Sequence, residues 1–252
     1  EYDIDGAVVK IDQIAYRNDF PAGSKYSAGH IAYKYPPEEK EAVITDIELS
    51  VGMTGRVNPT AVFTPVRLCG TTVSRATLHN QDFIDKLGIG IGETVLVYKS
   101  GEIIPKIKAV VSQKHPADAV VYQIPDHCPV CGAPVVREED TADMRCTNDD
   151  CPAKLERRII NFVGRDAMDI KGFGEEYIRI LIQEGYLNNI ADIYELKKYR
   201  EELITKGLIG KETNTDKILK AIDDLRQNQP YRLLTGFATP NAGKHSPKTM
   251  MK

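Results

Sequence analysis

The sequence predicts a multidomain α+β chain in which a small β-barrel, a four-cysteine zinc finger and an α-helical carboxy-terminal part follow one another. Three observations predict it: short β-rich runs within residues 42–111, two close cysteine pairs between Cys128 and Cys151, and helical apolar spacing beyond Ala153.

The 252 residues allow two or three small units, since domains commonly hold roughly 100–200 residues. With 42% hydrophobic and 27% charged residues, the balance is that of an ordinary soluble protein. No apolar run is long enough to span a bilayer, so no membrane partner is expected. The chain opens on Glu1-Tyr2-Asp3-Ile4-Asp5-Gly6, without an initiator methionine or a charged-then-apolar leader. A cytoplasmic location and an origin within a longer chain are therefore expected. A net charge of −3 argues against coating nucleic acid by bulk electrostatics, so any such contact must rest on local placement. One asymmetry exists: no acidic residue follows Asp224, whereas Arg226, Arg232, Lys244, Lys248 and Lys252 are basic. On charge alone this is equally a solvated tail.

The barrel is placed at residues 41–115. Strands are expected over Ala42–Leu49, Ala61–Leu68, Thr71–Arg75, Glu93–Lys99 and Ile103–Val111, separated by turn residues. Between the third and fourth, residues 79–87 have helical spacing and stop at Gly88, a usual helix end. One helix inserted in a five-stranded barrel suits an OB-fold.

Residues 125–155 read as a separate zinc finger. Cys128-Pro129-Val130-Cys131 and Cys146-Thr147-Asn148-Asp149-Asp150-Cys151 bring two pairs of thiolates to one tetrahedral ion and leave no position open for water or substrate. The expected ion is structural Zn²⁺ rather than a pair of disulfides, which reduced intracellular thiols do not form. Such a unit has too little apolar surface to close without metal. The fifth cysteine, Cys69, lies in an apolar stretch and is expected to be a core thiol.

Residues 156–252 carry apolar positions at Leu155, Ile159, Ile160, Phe162 and Val163, at Ile178, Leu181 and Ile182, and at Ile218, Leu219 and Ile222, the period of buried helix faces. Glycine turns recur before these helices at Gly172-Phe173-Gly174, Gly207 to Gly210 and Asn241-Ala242-Gly243. A helix-hairpin-helix turn exposes backbone N–H groups at a helix start, where they bind phosphate without reading bases. Gly172 and Gly174 would allow that close approach, although the turn by itself also suits an ordinary αα-hairpin.

At the amino terminus, Asp5-Gly6-Ala7-Val8-Val9-Lys10-Ile11 reads as a turn entering a strand, with Lys10 on the face opposite Val9 and Ile11. Ile31-Ala32-Tyr33-Lys34-Tyr35-Pro36-Pro37 again sets a lysine among apolar strand residues. Two lysines on neighbouring strands could clamp a phosphate.

These segments together resemble bacterial NAD-dependent DNA ligases. Asp5-Gly6-Ala7-Val8-Val9-Lys10 resembles the fourth nucleotidyltransferase motif of that family and Ala32-Tyr33-Lys34-Tyr35-Pro36 the fifth. Ser74-Arg75-Ala76-Thr77-Leu78-His79-Asn80 and Ser100-Gly101-Glu102-Ile103-Ile104-Pro105 are similar to its OB-domain signatures, and residues 162–174 to the entry into its helix-hairpin-helix domain. The order of motifs agrees as well as their wording.

The resemblance implies that residues 1–40 end a nucleotidyltransferase (adenylation) domain and that residues 156–252 are an incomplete helix-hairpin-helix domain. It implies adenylyl transfer from NAD⁺ to an enzyme lysine, then to the 5′-phosphate at a nick, then attack by the 3′-hydroxyl. Asp5 would hold Mg²⁺ or the nucleotide sugar, while Lys10 and Lys34 would neutralise phosphate charge and bind the cofactor. Arg56, Arg75, Lys99 and Lys106 of the barrel, with Gly172, Gly174, Gly243 and Lys244 of the hairpins, are the expected DNA contacts. The partner implied is nicked double-stranded DNA, bound by a monomer without sequence preference at the bacterial nucleoid.

Departures accompany the resemblance. The nucleophile's Lys-x-Asp-Gly motif does not occur, its nearest approach being Lys10-Ile11-Asp12-Gln13, and Met53 stands where many relatives carry arginine, with Arg56 three residues on. The chain alone is thus expected not to adenylylate itself. The alternative class is a non-enzymatic, zinc-containing DNA-binding scaffold.

Overall fold

The computed structural model describes residues 4, 6–17, 19–20, 29–101, 103–111, 113, 120–138, 141–237 and 249, apart from the Arg226 side chain. They form two compact units, residues 1–49 with 59–124 and residues 50–58 with 125–252.

The first unit opens with β1 (Gly6–Lys10), α1 (Ile14–Arg17) and β2 (His30–Lys34). β1 and β2 pair antiparallel from Gly6 opposite Lys34 to Lys10 opposite His30. Val8, Val9, Ile31 and Tyr33 are all exposed, so this ladder leaves apolar side chains uncovered on both faces.

Next come β3 (Glu39–Val51), β4 (Val57–Leu68), β5 (Thr71–Thr77), α2 (Gln81–Leu87), β6 (Thr94–Ser100) and β7 (Ile104–Val110). The sheet order is β5-β4-β3-β6-β7, and β5 packs against β7, which closes the sheet on itself. This is the OB-fold topology, with α2 between the third and fourth barrel strands.

Alternation builds the barrel's interior: Ala42, Ile44, Ala61, Phe63, Val95 and Val97 are buried, while the intervening Val43 is exposed. Asn80 caps α2 by accepting from the Phe83 N–H at 3.0 Å, and Gly88 ends it in the left-handed region, both as the residue types favour.

The first two strands run longer than the sequence suggests. Pro59 lies inside β4, where its carbonyl is the group in use, accepting from the Leu78 N–H at 2.9 Å; a missing donor costs nothing where an acceptor is needed. Pro65 falls inside the register shift between Val62 and Val66, a place where proline is tolerated. Cys69 also departs from expectation. It is half-buried with φ 45° between β4 and β5, and its N–H donates to Glu38 Oε2 at 2.9 Å. It is a turn residue rather than a core thiol.

The second unit contains β8 (Val135–Arg137), β9 (Met144–Cys146), α3 (Pro152–Val163), α4 (Glu175–Gln183), α5 (Asp192–Glu195), α6 (Arg200–Lys206), α7 (Glu212–Asp224) and α8 (Pro230–Gly236). Its helices share one core in which Ile159, Phe162, Phe173, Ile178, Leu181 and Ile218 are buried. Leu155, Ile160 and Ile182, which share the same helical spacing, lie at its margin and are only partly covered. Among the described residues no helix is long and apolar enough to cross a membrane.

Candidate metal centre and nucleic-acid interface

Local backbone bonds shape the cysteine site. The Cys128 N–H donates to Ala133 O at 2.8 Å and the Gly132 N–H to Cys128 O at 2.9 Å, folding the first pair into a tight knuckle. Cys146 ends β9, whose pairing with β8 sets Val135 opposite Cys146. Cys151 precedes Pro152, the first residue of α3, where a missing N–H is harmless.

The sulfurs of Cys128 and Cys151 lie 3.9 Å apart and those of Cys131 and Cys146 3.5 Å apart. All four ligand atoms fall within 4.8 Å of one another. A tetrahedron with Zn–S bonds of about 2.3 Å has edges of about 3.8 Å, so the donor set fits zinc. Disulfide sulfurs stand about 2.05 Å apart, and all five cysteines are free.

The thiols are not equivalent. The Ala133 N–H pulls Cys131 down to about 6. Burial pushes Cys146 up to about 12 and also raises Cys151. Metal binding displaces the protons of all four thiols, because only the thiolate is a ligand. With four sulfur ligands the centre has no position left for a substrate, and its role is to hold the fold.

The hairpin turn of residues 50–58 folds with this centre. Arg56 pairs antiparallel with Arg145 of β9, and the Cys146 N–H donates to Gly55 O at 3.0 Å. The turn is in effect a third strand beside β9 and β8. Nothing in the sequence marked this association, because the two segments are some ninety residues apart (Thr54 O accepts from Arg145, a separation of 91).

Lys10 and Lys34 project from one face of the β1–β2 ladder, at its opposite ends, since each lies on the same parity of the pairing. Four residues of strand separate them, roughly 13 Å, so they would flank an extended ligand rather than meet on one atom. Lys34 also lines a cleft of about 560 Å³ with Glu38, Tyr98, Lys99 and Ser100. Asp5 lies outside the described residues, as do Gly243 and Lys244.

The expected DNA contacts separate into different environments. Arg56 is engaged by Asp143 at 2.9 Å and Arg75 by Glu48 at 2.7 Å. Phosphates would have to displace these carboxylates. Lys106 is half-buried in β7 opposite Tyr98. Lys99 does not sit at an open surface: it is 5% exposed, and its Nζ donates to Thr71 Oγ1 at 2.5 Å. The alternation of β6 turns it inward, which a lysine in a strand does not announce. Gly172 takes φ +80°, a conformation open to glycine, and Gly174 precedes α4.

Comparison with known proteins agrees with this architecture. Residues 41–119 match the NAD-dependent DNA ligase OB-fold domain, and residues 127–153 match the NAD-dependent DNA ligase C4 zinc finger domain. The chain is 49% identical over 249 residues to a DNA ligase of Clostridium kluyveri, covering 99% of this chain and 38% of that protein. A DNA ligase of Symbiobacterium thermophilum is 43% identical over 249 residues, with 99% and 37% covered, and one of Clostridioides difficile is 40% identical over 250 residues, again with 99% and 37%. With its barrel and its cysteine centre each matched in kind and nearly every residue aligned to such relatives, the chain belongs to the NAD-dependent DNA ligase family, of whose members it spans a little over a third.

Proposed function

We propose that this chain is the DNA-gripping part, together with a portion of the adenylate site, of a ligase that seals nicks in duplex DNA at the expense of NAD⁺. The observation that carries this reading is the alignment of DNA ligases along 99% of the chain. Self-adenylylation is assigned to the part of those relatives that the chain does not span, in keeping with the lack of a Lys-x-Asp-Gly motif.

Lys10 and Lys34 act as fixed positive charges flanking the adenylate, a role for which a compact ammonium is suited. Asp5 would hold Mg²⁺, which would offset phosphate charge, or the nucleotide sugar. Lys99, facing the same cleft as Lys34, adds to the positive field there. Arg56, Arg75 and Lys106 hold the DNA backbone from the barrel. The N–H groups near Gly172 and Gly174 hold phosphates from the helical part, and Gly243 and Lys244 add further phosphate contacts. All of these are contacts to backbone groups, so binding carries no sequence preference. The working form is a monomer on chromosomal DNA in the bacterial cytoplasm.

Fluorescence anisotropy of the chain on nicked and intact duplexes, across a salt series, tests this. Affinity that falls steeply with salt and is at least as high for the nick supports the reading. Absence of salt-sensitive binding with zinc in place would overturn the DNA-gripping role.

A further inference from the structure

Lys154 is only 4% exposed, in the first turn of α3 and three residues after Cys151. A buried ammonium is costly unless a counter-charge stands near it. Its carboxylate partner, Asp149, is 3.5 Å away and 93% exposed, which makes a loose pair screened by water. The guanidiniums of this region are otherwise committed, Arg56 to Asp143 at 2.9 Å and Arg145 to Glu138 at 2.8 Å.

The cysteine centre is the other counter-charge in this unit. Four thiolates around Zn²⁺ carry a formal charge of −2. The Lys154 side chain reaches the strand that carries one of them. At the point where a Cβ on Gly55 would stand, Lys154 Cε is 2.5 Å away, Lys154 Nζ 3.1 Å and the Cys146 carbonyl oxygen 3.0 Å. Gly55 takes φ +89° and has no side chain, and this is what lets the lysine stem pass between the turn and the ligand strand.

We propose that Lys154 is a positioning residue of the zinc centre: its buried ammonium balances the charge of the four thiolates, and its stem, packed on Gly55, fastens the 50–58 turn to β9. Retention of the metal and placement of Arg56 are thereby coupled through one side chain. Outer partners of metal ligands commonly change metal affinity by about 10- to 100-fold when removed.

The test follows zinc release from the full chain to 4-(2-pyridylazo)resorcinol, with Lys154→Met retaining the stem and Lys154→Arg retaining the charge. The expected result is release about 10- to 100-fold faster in Lys154→Met, largely restored in Lys154→Arg, with faster amide exchange at residues 54–56 in the former. Release from Lys154→Met at the wild-type rate would overturn the proposal, and equal loss in both variants would overturn the charge role in favour of packing alone. Asp149→Asn, at an exposed position, provides a reading that does not depend on Lys154→Met folding. Freed from its loose partner, the ammonium should hold the metal longer, and faster release in this variant would count against the idea.

Discussion

Arg200 grips Asp216 with two parallel hydrogen bonds, Nε to Oδ1 at 2.7 Å and Nη2 to Oδ2 at 2.9 Å. The same guanidinium reaches Glu212 at 3.0 Å and Glu201 at 2.6 Å, so it ties the start of α6 to α7 around the glycine turn between them. The network holds Arg200 above its usual range, and Arg200 holds Asp216 below the usual carboxylate range. A depressed carboxylate adds stability that is fully present above its unfolded value, about 3.9, and is lost as pH falls through the lower folded value. The stability gap between wild type and Asp216→Asn should therefore be constant from neutral pH down to about 5, then shrink below about 4. Urea titrations across that pH range measure it, and a gap that held constant into strong acid would contradict the ion-pair account.

Gly236 marks the contact of α8 with α3. Its carbonyl accepts from Asn161 Nδ2 at 2.9 Å, and a Cβ there would stand 2.8 Å from Cδ2 of the fully buried Phe162. Gly236→Ala should cost about 1–3 kcal/mol through overpacking and Phe162→Ala about 3–5 kcal/mol through the cavity left. The double variant should lose less than the sum, because the added methyl enters space the ring vacates. Denaturation midpoints of the three variants decide this; strict additivity would mean that the two positions do not compete for space.

Metal removal should separate the zinc finger from the helices. The zinc finger depends on a binding free energy on the order of 10 kcal/mol, whereas the helical core around Ile159, Phe162, Ile178 and Ile218 contains no cysteine. A strong chelator should therefore leave most of the helical far-ultraviolet signal in place while abolishing salt-sensitive binding to nicked DNA. Parallel loss of both signals would show that zinc supports the whole helical part.

Lys34 is exposed at the end of β2, so its removal should not disturb the fold. In a ligase carrying this segment, Lys34→Ala should lower sealing of an ordinary nick by about 10²- to 10³-fold, the scale of losing one fixed charge at a reacting phosphate. Assays on ordinary and pre-adenylylated nicks separate the steps. Unchanged rates on both would remove Lys34 from the reaction.

Much of the molecule was legible in the order of residues. The cysteine spacing specified a four-ligand site because ligand geometry is local: a Cys-x-x-Cys turn can point its sulfurs almost nowhere else. The strand periods and the Gly88 stop of α2 likewise depend on neighbours a few residues away, and they were readable as an OB-fold. The family followed from motifs whose wording and order could be compared directly.

Long-range contacts decided the rest. Lysines at positions 34, 99 and 154 look alike in sequence, yet one is exposed, one is covered with its ammonium on Thr71 at the edge of a cleft and one lies buried against Gly55. The length of a strand through Pro59 depended on which of its groups met Leu78. The association of residues 50–58 with β9 depended on a backbone bond between Gly55 and Cys146. Sequence alone determined which chemistry is present, since donor type and period are properties of adjacent residues. Only the tertiary structure determined which charges are available to a ligand, because burial and pairing are set by segments that meet across the fold.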